Sequence, residues 1–549
     1  MNRIVIVGGV AGGMSAATRL RRLDESAEII VIEKSGYVSY ANCGLPYYIG
    51  GVIKDESTLL LQSPESLKER FNIDVRINSQ GVKIDRENKT LLVENLSTKE
   101  SYLLSYDKLI LSPGAAPIRP QIPGIERALS LRSVEDTQKI FSQVATKPAS
   151  AVVIGGGFIG VEVAENLAHQ GIKTSIVEAA SQLLAPLDPE MAYLVNKEMV
   201  TNGVDLYLGL SASQITEREV CLSDGQCIAA ELVILAIGVK PETSLASDAG
   251  LKIGVKGGIV VDKFNLTNDP DIYAAGDATE KIDALDNNPS LVPLANIANR
   301  QGRVIADHIN GRKVREVKTI GSAIVKVFDL AIATTGWNEK RLISAKRDYR
   351  VIHTHPGSHA GYYPGASTMA IKLIFDPKSG EIFGGQAIGR DGIDKRIDVI
   401  ATAIRSKITA PELADLELAY APPYGSAKDP INMLGYIAEN IISGLTQSAQ
   451  WNEIDKYLEA GYILLDVRNV DEFARGQIPD SINIPLDQLR ERHSEIKAKK
   501  VLITCQVGQR GHSATLLMKN LGYEAVNLDG GYHLWSNSPA QIEQMKVGV

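Results

Sequence analysis

Arg3-Ile-Val-Ile-Val-Gly-Gly-Val-Ala-Gly-Gly13 begins a pattern that, after a helical stretch, closes with Ile29-Ile-Val-Ile-Glu33. Ser150-Ala-Val-Val-Ile-Gly-Gly-Gly-Phe-Ile-Gly160 repeats it and closes with Thr174-Ser-Ile-Val-Glu178. Each reads as strand, glycine turn, helix, strand and carboxylate, the pattern of a βαβ dinucleotide-binding unit. The glycines let backbone N–H groups at a helix N-terminus approach a pyrophosphate. The carboxylate accepts hydrogen bonds from ribose hydroxyls. The second copy is complete at Gly155, Gly157, Gly160 and Glu178. The first keeps Gly8, Gly12, Gly13 and Glu33 but has Val10 at the middle glycine position. Two such units imply FAD together with a nicotinamide nucleotide. Glu178 favours NADH over NADPH, since a carboxylate repels a 2′-phosphate; Lys173, at the far end of its strand, does not overturn this.

The chain has 549 residues, and at roughly 150 residues per domain that length predicts three or four domains. Hydrophobic residues at 44% and charged residues at 22% exclude a disordered chain. With 58 basic and 65 acidic residues the net charge is −7, so a nucleic-acid partner is not expected. Four cysteines do not make a disulfide scaffold and fit a reducing compartment. No secretory leader and no run of about 18 apolar residues is read. The expectation is a cytoplasmic protein with no membrane contact.

Further strands are read at Leu109-Ile-Leu-Ser-Pro-Gly114, Leu232–Gly238 and Ile272-Tyr-Ala-Ala-Gly-Asp277, where Asp277 is placed to hold a flavin ribityl hydroxyl. Asp224-Gly225 marks a hairpin turn. Cys221 and Cys227 flank it and are read as structural thiols rather than a disulfide. His353, His355 and His359 are read as a surface loop, and no metal site is expected. Cys43 lies in Ser39-Tyr-Ala-Asn-Cys-Gly-Leu-Pro-Tyr-Tyr48, close after the first βαβ unit. Near the end, Val501-Leu-Ile-Thr-Cys505 is an apolar strand running into a Cys-x4-Arg510 loop and a helix. Such a loop turns several N–H groups and a helix dipole toward the sulfur. That stabilises a thiolate or a persulfide anion, and Arg510 adds positive charge.

On the two glycine patterns, Leu111-Ser-Pro-Gly114 and Tyr273-Ala-Ala-Gly-Asp277, residues 1–440 resemble the two-dinucleotide-fold pyridine nucleotide–disulfide oxidoreductases. On Leu465-Asp-Val-Arg468, Gly476-Gln-Ile-Pro479, the Cys505 loop and Leu528-Asp-Gly-Gly531, the last hundred residues resemble rhodanese domains; Gln477 departs from the usual His. The resemblance implies an α/β fold with two Rossmann-like dinucleotide-binding domains, an α+β dimerisation domain and a small rhodanese-like α/β domain. Expected boundaries are 1–112 with 246–320 for FAD, 113–245 for NAD(P)H, 321–442 for dimerisation, 443–450 as linker and 451–549 as the rhodanese-like domain. Implied cofactor contacts are Gly8, Gly12, Gly13, Glu33, Lys34, Ser112, Gly114, Arg132, Gly276, Asp277 and Ala295, and Gly155, Gly157, Phe158, Gly160, Glu178 and Gly238.

Many disulfide reductases of this kind use a Cys-x4-Cys pair, but Tyr48 occupies the partner position. One thiol forms a mixed disulfide or a sulfenic acid. The Ala41-Asn-Cys-Gly-Leu-Pro-Tyr47 segment resembles the coenzyme A–disulfide reductases. That group implies substrate contacts at Ser15, Arg19, Arg22, Ser39, Asn42 and Lys428, and proton donors at Tyr362 and Tyr420. With Cys43, Cys505 and Arg510 these are the expected catalytic residues. The expected activity is reduction of coenzyme A persulfide, polysulfide or disulfide by NADH (or NADPH), in a homodimer, with Cys505 carrying sulfane sulfur. Alternatives are an NADH oxidase or peroxidase using a Cys43 sulfenic acid, against which Ala11 stands where peroxide-reducing relatives have His, and a redox-sensing sulfur-binding flavoprotein.

Overall fold

The structure is a computed structural model and describes residues 2–539; residues 540–549 of the expected rhodanese-like domain lie outside the described residues. Two compact units emerge. One comprises the chain up to Ser181 and Gly203–Gly321, the other Gln182–Asn202 and the chain from Ser322.

The first unit holds two five-stranded parallel sheets. One runs in the order Ile272–Ala274, Lys108–Leu111, Arg3–Val7, Glu28–Ile32, Asp74–Arg76. The other runs Asp205–Leu208, Lys173–Glu178, Ser150–Ile154, Leu232–Leu235, Leu129–Ser130. The inner strands Arg3–Val7, Glu28–Ile32, Lys108–Leu111, Ser150–Ile154 and Leu232–Leu235 are covered on both faces, which is why their sequences are nearly unbroken apolar runs. Each central strand turns at a glycine into a helix, Ala11–Leu23 in one sheet and Phe158–His169 in the other. These turns admit no side chain on the helix: a Cβ on Gly13 would overlap the Gly8 carbonyl oxygen, and one on Gly160 the Gly155 carbonyl oxygen. The helix Ala295–Ile309 packs on Ala11–Leu23, where Gly302 meets the Gly12 carbonyl.

The hairpin departs from expectation. Cys221 and Cys227 stand directly opposite each other in the antiparallel ladder of Glu219–Leu222 and Cys227–Ala229, and they form a disulfide. The turn at Asp224-Gly225 sets that register.

The second unit holds an antiparallel sheet in the order Ala323–Val327, Leu330–Gly336, Ile382–Gly389, Ala370–Phe375, Arg350–Thr354. It also holds a parallel sheet in the order Ser448–Ala449, Glu524–Leu528, Lys500–Thr504, Ile463–Asp466, Ile482–Asn483. Two sequence readings change here. The end of the 443–450 linker is a strand, because Ser448 and Ala449 pair with Asn527 and Leu528. His353 is no surface residue; it lies in the strand Arg350–Thr354 and is 4% exposed.

His353 and Lys372 are cross-strand partners, and Lys372 pairs onward with Gln386. This buried polar row faces the start of the helix Pro189–Thr201. Lys372, fully buried, ion-pairs with Asp188 at 2.8 Å and with Glu190 and Glu339. Gln386 donates to the Asp188 carboxylate at 2.7 Å and accepts its N–H at 2.9 Å. His353 lies between Glu190, at 3.1 Å from Nε2, and Asp529, at 2.7 Å from Nδ1. Burial alone pushes an imidazole down, but the hydrogen bonds to Asp529 and Glu190 outweigh it and raise His353 from 6.5 to about 9. Nearby His355, packed edge-on against His533, is driven well below the ordinary value by burial.

A histidine raised on folding stabilises the protein fully below its unfolded pKa, and that contribution is lost as pH rises through the folded value. His353 therefore predicts a decline in the thermal midpoint between pH 6.5 and about 9. Asp529→Asn weakens the charge holding that proton, so its melting curve should be flatter over the same window. An identical slope in both proteins would remove His353 as the cause.

Candidate functional site

The site is built first from the two glycine turns. Neither Ala11–Leu23 nor Phe158–His169 has a side-chain cap hydrogen bond or an acid in its first turn. The first N–H groups of such helices are left for a ligand. Gly155 and Gly8 take φ of 111° and 101°, which only glycine adopts without strain. The carboxylates at the strand ends repeat one another. Glu33 accepts N–H bonds from Gly9 (2.6 Å) and Ser35 (2.8 Å); Glu178 accepts them from Gly156 (2.6 Å) and Ala180 (2.7 Å). Burial pushes the Glu33 carboxyl up.

Around the first turn, the Ser112 N–H is held by Val7, and a Cβ on Gly12 would press on the Ser112 hydroxyl. Arg132 donates to the Pro113 carbonyl at 2.9 Å, beside Gly114. Gly276 N–H donates to Gln301. Burial raises the Asp277 carboxyl against the opposing pull of Lys281 and Arg132. Ala295 begins the helix Ala295–Ile309. Lys34 points outward and ion-pairs with Glu242 at 3.1 Å. Around the second turn, Phe158 is half-buried at the helix start, while Gly157 and Gly238 are exposed. A Cβ on Gly157 would meet nothing within 4 Å. Glycine cradles, uncapped helix starts, strand-end carboxylates and a buried aspartate fit FAD at the first turn and NAD(P)H at the second.

Cys43 is an exposed thiol in the turn Asn42–Gly44, just before the helix Leu45–Ile49. That short helix lies on Phe158–His169: Tyr47 Oη donates to Glu162 at 3.3 Å, and Gln170 donates to the Gly50 carbonyl at 2.5 Å. Burial raises the Cys43 thiol, and the charges of Glu162 and Asp277 raise it further. Glu162 itself is pushed up by burial to about 7. Sequence reasoning missed Glu162. Its position on the helix after the second glycine turn was visible, but its nearness to Cys43 depends on helix packing.

Ser15, Arg19 and Arg22 line one cavity of about 190 Å³ with Thr18, Asn299 and Arg303. Arg19 is held there by Asp307 at 2.7 Å. Asn299 and Arg303 carried no sequence signal, since they lie on a helix far along the chain. Ser39 adopts φ 49°, with its N–H on the Gly9 carbonyl, and Asn42 is exposed beside Cys43.

In the second unit, the hydroxyls of Tyr362 and Tyr420 meet at 3.0 Å on the surface. That hydrogen bond raises Tyr420. Lys428 is exposed just before Asp429, the cap of the helix Pro430–Ile442. Cys505 is buried at the end of the strand Lys500–Thr504, and Gly508 N–H donates to its sulfur at 3.2 Å. The helix Gln509–Asn520 starts directly behind. Arg510 turns to Glu472, with two hydrogen bonds of 2.7 and 2.6 Å. That pairing lowers Glu472 to about 2. Arg468, Glu472, Arg475, Gln506 and Tyr532 line a cavity of about 260 Å³ beside the loop.

Residues 2–302 match the family described as pyridine nucleotide-disulphide oxidoreductase, 322–429 its dimerisation domain, and 450–538 the rhodanese-like domain. The chain belongs to the pyridine nucleotide-disulphide oxidoreductases and carries a rhodanese-like domain at its C-terminal end. It is an FAD-dependent oxidoreductase that uses NAD(P)H. Coenzyme A disulfide reductase of Staphylococcus epidermidis is 36% identical over 441 residues, 80% of this chain and all of that protein. The reduced CoADR-RHD of Bacillus anthracis is 50% identical with a TM-score of 0.97, covering 99% of this chain and 98% of that one. A NAD-dependent persulfide reductase from A. fulgidus is 36% identical with a TM-score of 0.92, covering 97% and 100%. Among the described residues no helix is long and apolar enough to cross a membrane.

The acids around Cys43 predict its titration. Glu162→Gln removes a charge that raises the thiol, so the pH midpoint for Cys43 alkylation by iodoacetamide should move lower, measured in a Cys505→Ser background. An unchanged midpoint would show that Glu162 does not act on the sulfur.

Proposed function

We propose that this protein reduces coenzyme A persulfide and coenzyme A disulfide with NADH, through Cys43, and that Cys505 carries sulfane sulfur. The observation that carries the reading is the pairing of two thiols of different setting. Cys43 stands in a turn packed against the nicotinamide-site helix, and Cys505 sits in a loop whose backbone N–H binds its sulfur. The likeness to a coenzyme A disulfide reductase and a persulfide reductase supports the substrate class. FAD and NADH, when bound, supply two electrons to a disulfide sulfur.

The Cys43 thiolate attacks the coenzyme A sulfur of the persulfide. A Cys43–S–S–coenzyme A bond forms, the sulfane S–S bond breaks, and hydrosulfide leaves. With the disulfide, a coenzyme A thiolate leaves instead. Two electrons then return Cys43 to thiolate and release coenzyme A. Tyr420, whose proton is held more tightly by Tyr362, protonates the leaving thiolate. Ser15, Arg19, Arg22, Ser39, Asn42 and Lys428 bind coenzyme A, with Arg303 and Asn299 completing the cavity. Gly8, Gly12, Gly13, Glu33, Lys34, Ser112, Gly114, Arg132, Gly276, Asp277 and Ala295 hold FAD. Gly155, Gly157, Phe158, Gly160, Glu178 and Gly238 hold the nicotinamide nucleotide. The boundaries 1–112 with 246–320, 113–245, 321–442 and 451–549 are our domain assignment. We further infer a cytoplasmic homodimer built through the dimerisation domain.

Anaerobic NADH oxidation tests the reading. Cys43→Ser should abolish turnover with both coenzyme A substrates, while Cys505→Ser should retain it with the disulfide. Tyr420→Phe should slow turnover by about 100-fold if it is the acid. Turnover with peroxide alone, or an active Cys43→Ser enzyme, would sink the proposal. Glu178→Ala should narrow the preference for NADH over NADPH, read as the ratio of the two kcat/KM values; an unchanged ratio removes Glu178 as its determinant.

A further inference from the structure

Asp529 follows the strand Glu524–Leu528 and precedes Gly530 and the helix Gly531–Ser536. That helix supports the Cys505 loop from below. Tyr532 N–H donates to the Cys505 carbonyl at 2.7 Å, and His533 N–H donates to the Gln506 carbonyl at 2.9 Å. Gly531 packs so closely that a Cβ there would overlap the Cys505 carbonyl oxygen. Any shift of Asp529 therefore reaches the loop through a short, tightly packed stretch.

Asp529 is gripped by the antiparallel sheet. Its two oxygens accept the main-chain N–H of His353 at 3.2 and 3.0 Å, and Oδ2 accepts the ring Nδ1–H at 2.7 Å. Gln450 adds a weaker bond at 3.3 Å. The strand Arg350–Thr354 is the edge of its sheet, and an edge N–H needs a partner when buried; Asp529 is that partner for His353. The other ring nitrogen meets Glu190, which Lys372 holds. With a carboxylate at each nitrogen, the imidazole donates on both sides.

We propose that His353 is a positioning residue for the Cys505 loop. Acting through Asp529, it fixes the base of the loop, so that sulfur loading on Cys505 depends on a side chain of the antiparallel sheet. The inference rests on the reading of Cys505 as a sulfur carrier. In that reaction the Cys505 thiolate attacks the outer sulfur of thiosulfate. A Cys505 S–S bond forms, the thiosulfate S–S bond breaks, and sulfite leaves with the electron pair. Cyanide then takes the outer sulfur as thiocyanate and regenerates the thiolate. A loop displaced by a fraction of an ångström aims its N–H groups less well at the sulfur as charge develops there. That cost falls on the transfer step rather than on substrate capture.

The test uses the full chain with thiosulfate and cyanide as probes, and the variants His353→Gln, Asp529→Asn and the double substitution. Each single variant should lower kcat about tenfold or more, within the range geometric misplacement costs. KM for thiosulfate should stay within about twofold, and the double variant should be no slower than the worse single. NADH-driven reduction of coenzyme A disulfide, which uses Cys43, should be unchanged, with flavin content as the check on folding. A wild-type kcat in both single variants would overturn the positioning role. So would a parallel fall of the Cys43 reaction, which would mark a general structural effect. The Cys505→Ser protein separates the two ideas: if it still transfers sulfur, the carrier reading fails first and this inference with it.

Discussion

A helical glycine pressed against a carbonyl oxygen sets the geometry of both nucleotide sites. Gly13 meets the Gly8 carbonyl and Gly160 the Gly155 carbonyl, with no room for a Cβ in either place. This contact draws the helix N-terminus down onto the carboxyl end of the central strand. The uncapped N–H groups then open onto the crevice where ligands of parallel sheets bind. The neighbouring strand, held in parallel register, brings its terminal carboxylate back to the same turn, Glu33 to Gly9 and Glu178 to Gly156. The middle glycine answers to a different demand. Val10 replaces it in the first copy at φ −111°, and in the second a Cβ on Gly157 would meet open space. The chain's own packing therefore tolerates a side chain there.

The second unit depends on a different constraint, the expense of burying charge. Lys372 has no exposed surface, and removing its carboxylates would leave an uncompensated cation worth several kcal/mol. Asp188, Glu190 and Glu339 are arranged around it instead, and Glu190 passes the charge on to His353 and Asp529. The three carboxylates resemble a cation cage, but the Lys372 ammonium lies within it. A network of this kind is satisfied by a single arrangement of its parts. It thereby orders the helix Pro189–Thr201, the edge strand and the Asp529 turn with respect to one another.

The parallel strands, both glycine turns and the Cys505 loop were legible because each is a local pattern: an apolar run, a glycine at a fixed offset, a cysteine at a strand end. Two of the misreadings concern distant partners. His353 sits in a polar, Pro- and Gly-flanked stretch, and nothing nearby announces Glu190 or Asp529. Ser448 and Ala449 are small and polar like a linker, yet they complete a sheet whose other strands come later. Cys221 and Cys227 are a local case: the Asp224-Gly225 turn lets them face each other across the hairpin, and the ladder register brings them close enough to bond. Arg19 lines a cavity with Ser15 and Arg22, but its anchor, Asp307, lies on a helix far downstream.

The two remaining thiols, Cys43 and Cys505, sit in different electrostatic settings. The Cys505 sulfur accepts the Gly508 N–H, and the helix Gln509–Asn520 starts behind it. Arg510 contributes less than its charge implies, because Glu472 binds it at both nitrogens. An oriented peptide N–H at a helix start is an arrangement that favours negative charge on sulfur, and it supports the carrier role we propose for Cys505. Cys43 has the opposite setting. Burial and two carboxylates, Glu162 and Asp277, disfavour its thiolate. The same groups hold the proton on the sulfur, so the thiolate that attacks an S–S bond has to form against them. The two sulfurs are therefore not interchangeable: one accepts a backbone hydrogen bond at a helix start, and the other must lose its proton against two carboxylates.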